Sequence, residues 1–465
     1  MKKKFALNAA ILIGSNLLVK PFWIFGIDRN VQNRVGPEDY GLYFAAFNYS
    51  LLFSVLLDVG LTQFNSRAVS RSPARLPSYF TNLILLKCVL SLLYLAATFL
   101  PAMARGMSRT EFKLLLMLVV NQILLSFILF LRSNMQALHW FKTDSIFSVA
   151  DRLLAIIFCA VLLWTKVFPL DIFSYVGAQT LALFITLSAA FMALRAKAFS
   201  HAFVWWNHAF RARILRSTFP FALLVFLMTI YSRTDSVLLK MMARDGGDYQ
   251  AGVYAAAYRV FDAANQIGYL FSVILLPMFA SGFKNRNNNK ELFTFGLNTI
   301  IIFSAPAAVF CSLWPQEIIG ILYKHHQSDW VGVFALTMLN LIPATGLYVT
   351  GPFLTAKGEL IKLCTISAIA VLLNVTINII LIPTIGALAC AISALATHVL
   401  VFVIQYYWVI KFCSQVPSYK EIFKLILFIF LLFIAFYAVK QIFGPLLLEV
   451  VVCSALVLLL TLLLG

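Results

Sequence analysis

Charge is scarce in this sequence. Asp, Glu, Lys and Arg make up 12% of its 465 residues, and acids number only 18. A soluble domain carries about a quarter charged residues, so an ordinary water-soluble fold is excluded at the outset. Polar breaks are equally scarce: the longest, from about Arg195 to Arg216, is too short to fold by itself, which leaves any function to the apolar segments. No G-x-x-x-x-G-K-S/T loop occurs, nor even a Gly-Lys pair, which argues against nucleotide hydrolysis. The seven cysteines, Cys88, Cys159, Cys311, Cys364, Cys390, Cys413 and Cys453, fall singly in or at the ends of apolar runs. Lacking disulfide pairing or zinc spacing, they read as small hydrophobes. His325 and His326 have no third ligand nearby in the chain, so no metal site is expected.

What is abundant is hydrophobicity, 62% of the chain with 15% aromatic. A spanning helix needs roughly 20 mostly apolar residues, and about fourteen such runs follow one another, the first at 6–27, the second at 40–64 and the last two at 421–443 and 445–464. The chain reads as an all-α polytopic membrane protein. The start, MKKKFALNAAILIG, has the basic residues and apolar run of a signal peptide. No A-x-A-like cleavage site follows and the run continues through Pro21 to Gly26, so it is read as the first helix, bent at Pro21.

Lys and Arg near helix ends mark the cytoplasmic side. With the N-terminus inside, twenty of the 36 fall in cytoplasmic segments, Lys357, Lys362 and Lys411 among them, and ten on the other side. Both termini are therefore expected in the cytoplasm. The net charge of +18 follows from these loops facing anionic lipid. Their basic residues are scattered and form no continuous stripe, which argues against nucleic-acid binding.

One phrase occurs twice. VGPEDYGLYFAA, Val35 to Ala46, returns as GGDYQAGVYAAAY, Gly246 to Tyr258, matching Gly41 with Gly252 and Tyr43 with Tyr254. The copies open the second and eighth helices. An even number of helices separates them, so the halves enter the membrane in the same direction, a parallel repeat of the kind found in secondary transporters. The expected division is a six-helix bundle at 1–195, a basic interfacial linker at 196–216 carrying Trp205 and Trp206, a second six-helix bundle at 217–411, and two further helices at 412–465.

V-G-P-E-D-Y-G-L-Y, then L-L-D-V-G-L (Leu56 to Leu61) and Arg67, with fourteen spans and a second G-V-Y-A-A-A-Y after D-S-V-L-L-K (Asp235 to Lys240), resembles the polysaccharide flippases of the multidrug, oligosaccharidyl-lipid and polysaccharide exporter superfamily. The resemblance implies two six-helix bundles around a cavity that opens alternately to each side, in the bacterial inner membrane. It implies a polyprenyl-diphosphate-linked oligosaccharide as cargo, for O-antigen, capsule or a related polymer. Partners implied are the lipid-linked substrate, membrane lipids, and the polymerase and glycosyltransferases of the same pathway.

Such cargo needs a polar, cationic path, and intramembrane charges mark one by default. Lys20, Arg233 and Arg259 are the main candidates, because the implied fold lines its cavity with the first, second, seventh and eighth helices; Arg152 is a fourth. At 1.5 Å per residue, Lys20 lies roughly 20 Å into its helix and Arg259 roughly 15 Å into its own. Arginine suits a diphosphate because its planar fork donates two parallel hydrogen bonds to an oxyanion. The competing role is internal pairing, Arg259 with Asp262 at i, i+3, Arg233 with Asp235, and Arg152 with Asp151. Lys87 and Arg132 are expected to snorkel or to face packed helices.

The carboxylates within spans, Asp58, Asp151, Asp235 and Asp262, are the candidates to bind a coupling proton or sodium ion, with a helix-end contact as the competing role for Asp58. Asn16, Asn48, Asn265 and Gln266 are candidate sugar contacts, and interhelical hydrogen bonding is the competing use. No other cofactor, no metal and no catalytic residue is expected. Two other functions compete: a cation-coupled drug or metabolite exporter of the same superfamily, and a membrane glycosyltransferase or polymerase. The enzyme would need a catalytic base or metal-binding acids on a sizeable external loop, and the external breaks are short.

Overall fold

The structure, a computed structural model, describes residues 18–72, 74, 76–165, 169–198, 208–244, 246–284, 289–412 and 419–464. Every regular element among them is helical. The chain divides into two compact units, Met1–Val237 and Leu238–Gly465.

The first unit begins with α1 at 18–35, followed by α2 (Pro37–Leu52), α3 (Leu61–Arg71), α4 (Leu76–Ala104), α5 (Arg109–Ala137), α6 (Phe141–Trp164) and α7 (Ile172–Ala198). The next helix, α8 (His208–Met242), contains the boundary between the units. The second unit continues with α9 (Gly247–Lys284), α10 (Lys290–Leu313), α11 (Pro315–Leu322), α12 (Asp329–Leu339), α13 (Leu341–Lys357), α14 (Leu360–Ile385), α15 (Ala387–Phe412), α16 (Tyr419–Ile442) and α17 (Leu446–Leu464). Among the described residues, 11 helices are long and apolar enough to cross a membrane, or 12 if the bent pair α2 and α3 is one span. The expected linker lies partly outside the described residues, Trp205 and Trp206 included, and its last part already belongs to α8.

The burial pattern is that of a protein solvated by lipid. Leu92, Leu100, Phe303, Ile361, Leu372 and Leu447 are exposed, while Asn65, Asn121, Asn134, Asn374 and Asn378 are buried. In lipid, apolar side chains gain little by leaving the surface, whereas amides must find partners inside. Asn65 donates to Ser133 Oγ and Asn134 Oδ1, both at 2.9 Å. In the first unit α5 packs on α7, α3 and α2, around Leu83, Phe80, Phe130 and Met135. In the second, α9 packs on α13, and α14 on α15.

Local chemistry sets the helix starts. Ser108 and Glu111 close a capping box ahead of α5. Both copies of the doubled phrase carry a glycine with positive φ just ahead of the helix, Gly36 at 88° and Gly246 at 64°. Acids then occupy the first turn, Glu38 and Asp39 in α2 and Asp248 in α9, where they oppose the helix dipole. Gly41 and Gly252 are buried one turn further on.

Two expectations are corrected. The first helix does not end near residue 27; it runs to Val35 and stops at Gly36. Asn30 holds the Gly26 carbonyl at 2.6 Å, and Arg34 donates to the Leu163 carbonyl at 3.1 Å. Just after Pro21 its ladder widens into a π turn, Trp23–Asp28, where the Arg29 amide reaches back to Ile24. The second span is not continuous either. It breaks into a 3₁₀ turn at Ser54–Leu57 and a left-handed pair, Val59 (φ 44°) and Gly60 (φ 79°), so that its two helices meet at 50°. A β-branched residue at positive φ is strained, and only surrounding contacts hold it there.

Candidate functional site

Those contacts converge on a lysine. Lys87 of α4 is fully buried, and its ammonium donates to the Leu57 carbonyl at 2.9 Å, to Asp58 Oδ1 at 3.2 Å and to Ser126 Oγ at 2.7 Å. The Asp58 carboxylate in turn accepts the amide and the hydroxyl of Thr62 in the first turn of α3. Irregular backbone at membrane depth is tolerated only where its polar groups are satisfied within protein. Lys87 supplies that satisfaction at the break. Asp58 is therefore a helix-end and ion-pair residue, and Lys87 faces packed helices. Arg132 also faces inward, bonded to Asp144 at 2.8 Å.

A second polar strip runs along α8. Thr229, Ser232, Arg233 and Ser236 recur at i, i+3, i+4 and i+7, one face of a helix. Arg233 is half-buried, and its guanidinium approaches Asn48 Oδ1 of α2 at 3.4 Å. The first unit thus brings a predicted cation and a predicted amide together. Lys20 is half-buried on α1 directly before Pro21, Arg152 and Asp151 are half-buried neighbours on α6, and Asp235 is buried on α8. Asn16 lies outside the described residues.

The second unit carries its own strip on α9. Arg259, Asp262 and Gln266 are half-buried and share one face at i, i+3 and i+7, while residues 251–258 before them are all buried. Asn265 points elsewhere and donates to the Tyr348 hydroxyl at 3.2 Å. That tyrosine lies against Gly268, where an added Cβ would come within 2.6 Å of its ring. Among the described residues no three His, Cys, Asp or Glu gather as a metal site.

One acidic residue escaped the sequence reading. Asp28, just past the apolar run at 6–27, is buried at the end of the π turn, and each carboxylate oxygen accepts a phenol at 2.5 Å, one from Tyr40 and one from Tyr175. Such distances are those of a hydroxyl donating to a carboxylate. Tyr43 meets Tyr175 edge-on at 5.4 Å and Trp23 stacks on it at 6.0 Å, closing an aromatic box. Its only sequence signal was the tyrosine of the doubled phrase, Tyr40, which binds it.

With this geometry in hand, comparison with known proteins gives a consistent result. The sequence model of the polysaccharide biosynthesis protein family matches residues 8–283. No curated protein matches the chain by sequence. The lipid II flippase MurJ in an inward closed conformation is similar at a TM-score of 0.68 and 15% identity, over 98% of this chain and 97% of that one. An inward-facing multidrug resistance transporter of the MATE family, in the MOP superfamily, is similar at 0.66 and 16% identity, over 86% and 97%. A MOP superfamily transporter from Pyrococcus furiosus follows at 0.58 and 16%, over 86% and 93%. At these identities the likeness shows the fold.

Proposed function

The chain belongs to the polysaccharide biosynthesis protein family, and from that premise we propose that it is a secondary transporter that flips a polyprenyl-diphosphate-linked oligosaccharide across the bacterial inner membrane by alternating access. The product would feed O-antigen, capsule or related polysaccharide assembly. The supporting observation is Arg233, a half-buried arginine within an apolar spanning helix, flanked by hydroxyls and approached by Asn48. An anionic diphosphate and a row of sugar hydroxyls need such a surface, while the polyprenyl tail remains in lipid. Lys20 in the first unit and the Arg259, Asp262 and Gln266 strip in the second extend the same chemistry. The reading keeps 1–195 and 217–411 as the repeated halves and 412–465 as an addition.

For coupling, Asp151, Asp235 and Asp262 are the carboxylates to bind a proton or sodium ion, since both oxygens of Asp28 already accept phenols. Asp58 is the weaker choice, since Lys87 and Thr62 already occupy it. One structural relative is a lipid II flippase, which favours a lipid-linked cargo. The MATE relative keeps a drug exporter as the second reading, and a path rich in arginine and lysine suits anions better than cationic drugs.

The test is polymer export in a strain lacking its own flippase, with membrane protein level measured alongside. Neutralising Lys20, Arg233 or Arg259 to Gln should each slow export at normal protein level, by the loss of a charge-assisted contact worth about 1.5–3 kcal/mol. Arg259→Lys should recover part of it, keeping the charge and losing the fork. If Arg259 only pairs with Asp262, Arg259→Gln lowers protein level and removal of Asp262 rescues it. Normal export from all three neutralised variants would sink the mechanism.

A further inference from the structure

The span Asp329–Lys357 is long and apolar enough to cross a membrane, yet its helix is interrupted at Asn340, between α12 and α13. Pro343 lies just beyond the interruption and offers no amide to the Leu339 carbonyl. At 1.5 Å per residue, Asn340 lies roughly 16 Å along the helix from Asp329, near the middle of a hydrocarbon core about 30 Å thick. Here two polar side chains are orphaned. Thr337 and Asn340 are each 2% exposed, and neither Thr337 Oγ1 nor Asn340 Oδ1 has a hydrogen-bond partner among the described residues. At i and i+3 they are neighbours on one helix face.

Both depart from what the same residue types do elsewhere in this protein. Thr98, Thr186, Thr299 and Thr355 each donate to the carbonyl four residues earlier, at 2.7–2.8 Å. Asn48, Asn82 and Asn134 do the same at 2.8–3.0 Å. That bond satisfies a hydroxyl or an amide from within its own helix, and Thr337 Oγ1 and Asn340 Oδ1 go without it. An unmet polar group in so apolar a place is costly, so two orphans side by side imply a small ligand that bonds both. The groups themselves define its chemistry. The hydroxyl donates or accepts and the amide oxygen accepts, so the ligand must be able to do both. Neither side chain is charged, and an ion beside neutral groups costs more to bury than a water. With α9, α10 and α15 packed against α12 and both side chains buried, a sugar is too large.

We propose that Thr337 and Asn340 bind a structural water at the break between α12 and α13, the water accepting from the Thr337 hydroxyl and donating to Asn340 Oδ1. Buried waters of this kind are part of a fold and bond polar groups that nothing else reaches. Interrupted helix at membrane depth is tolerated where its polar groups are satisfied inside the protein. The site is independent of the transport reading, because it uses none of the residues assigned to cargo or coupling.

The experiment is radiolytic footprinting of the intact protein in nanodiscs equilibrated with heavy-oxygen water, read by mass spectrometry. A short X-ray pulse converts bound water into hydroxyl radicals, which oxidise the side chains beside it. Phe334 and Leu341, three residues before and four after Thr337, are buried and lie on its face of the helix, so they report the site. Both should take up heavy oxygen in the parent and lose the label in Thr337→Val, while Thr337→Ser, which keeps the hydroxyl, should keep it. Melting separates a wet site from a dry one. Around a water, Thr337→Val strands a hydrogen bond and should melt about 3 °C lower, the shift for one such bond in a unit of this size; in a dry site the valine relieves a buried hydroxyl and melting rises. Three outcomes overturn the proposal: no label at Phe334 and Leu341 in the parent, a Thr337→Val protein that melts at or above the parent, or sodium raising the melting temperature of the parent and not of that variant, which would make the ligand a cation.

Discussion

Replacing Lys87 by Met tests whether the broken second span is stapled by one buried charge. Methionine fills a similar volume and removes the ammonium, so the Leu57 carbonyl loses a donor at 2.9 Å and Asp58 loses its counter-ion at 3.2 Å. Breaking a buried pair from one side costs about 3–5 kcal/mol. Two features set the value here at the lower end, about 3 kcal/mol. The Asp58 side chain is 34% exposed, so water screens part of the stranded charge, and Ser126 Oγ still donates to Leu57 at 3.2 Å. For a unit of this size, 1 kcal/mol shifts melting by about 2 °C, and the expected fall in the melting temperature of purified protein is therefore about 6 °C. Adding Asp58→Asn removes the stranded charge while its carbonyl oxygen can still accept from Thr62, and about half the loss should return. Unchanged melting of the Lys87→Met protein, or a double variant less stable than the single, would refute the staple.

Two further outcomes are expected. Asp28→Asn replaces a carboxylate that holds two phenols at 2.5 Å with an amide that accepts on one side only, and should lower thermal stability by about 2 kcal/mol; melting identical to the parent would show that the aromatic box holds without the acid. Gly268→Ala places a methyl 2.6 Å from the Tyr348 ring, which must swing away and release Asn265. A cost of about 1–3 kcal/mol follows, measured by the same melting experiment, and a Tyr348→Ala background should abolish it.

Composition and the run of apolar segments determined that this chain is helical and crosses a membrane many times, because lipid admits few other solutions for a backbone with unpaired amides. The doubled phrase was equally legible: a glycine at positive φ, acids in the first turn and a buried Gly-x-Tyr form the same local structure at Gly36 and at Gly246, and such a start is a property of a few consecutive residues. Arg233, Arg259 and Lys20 stood out as charges within apolar runs. Apolar length, however, measures where hydrophobic residues stop, and that is not where a helix stops when its next turns bury polar groups. Hence the apolar run stops at 27 while the helix continues to Val35 with Asp28 buried inside it. Its partner Tyr175 is 147 residues away, and no local pattern couples the two. The break at Asp58 to Gly60 belongs to the same class: Val59 adopts a strained φ beside a Leu57 carbonyl to which Lys87 and Ser126, from two other helices, donate. Lys357, Lys362 and Lys411 are, by sequence, only charges on one side of a membrane; the turn at Gly358 and the packing of α13, α14 and α15 bring Lys357 to 3.4 Å and Lys362 to 4.3 Å from the Phe412 ring centre, and Lys411 to 5.0 Å from that of Trp408.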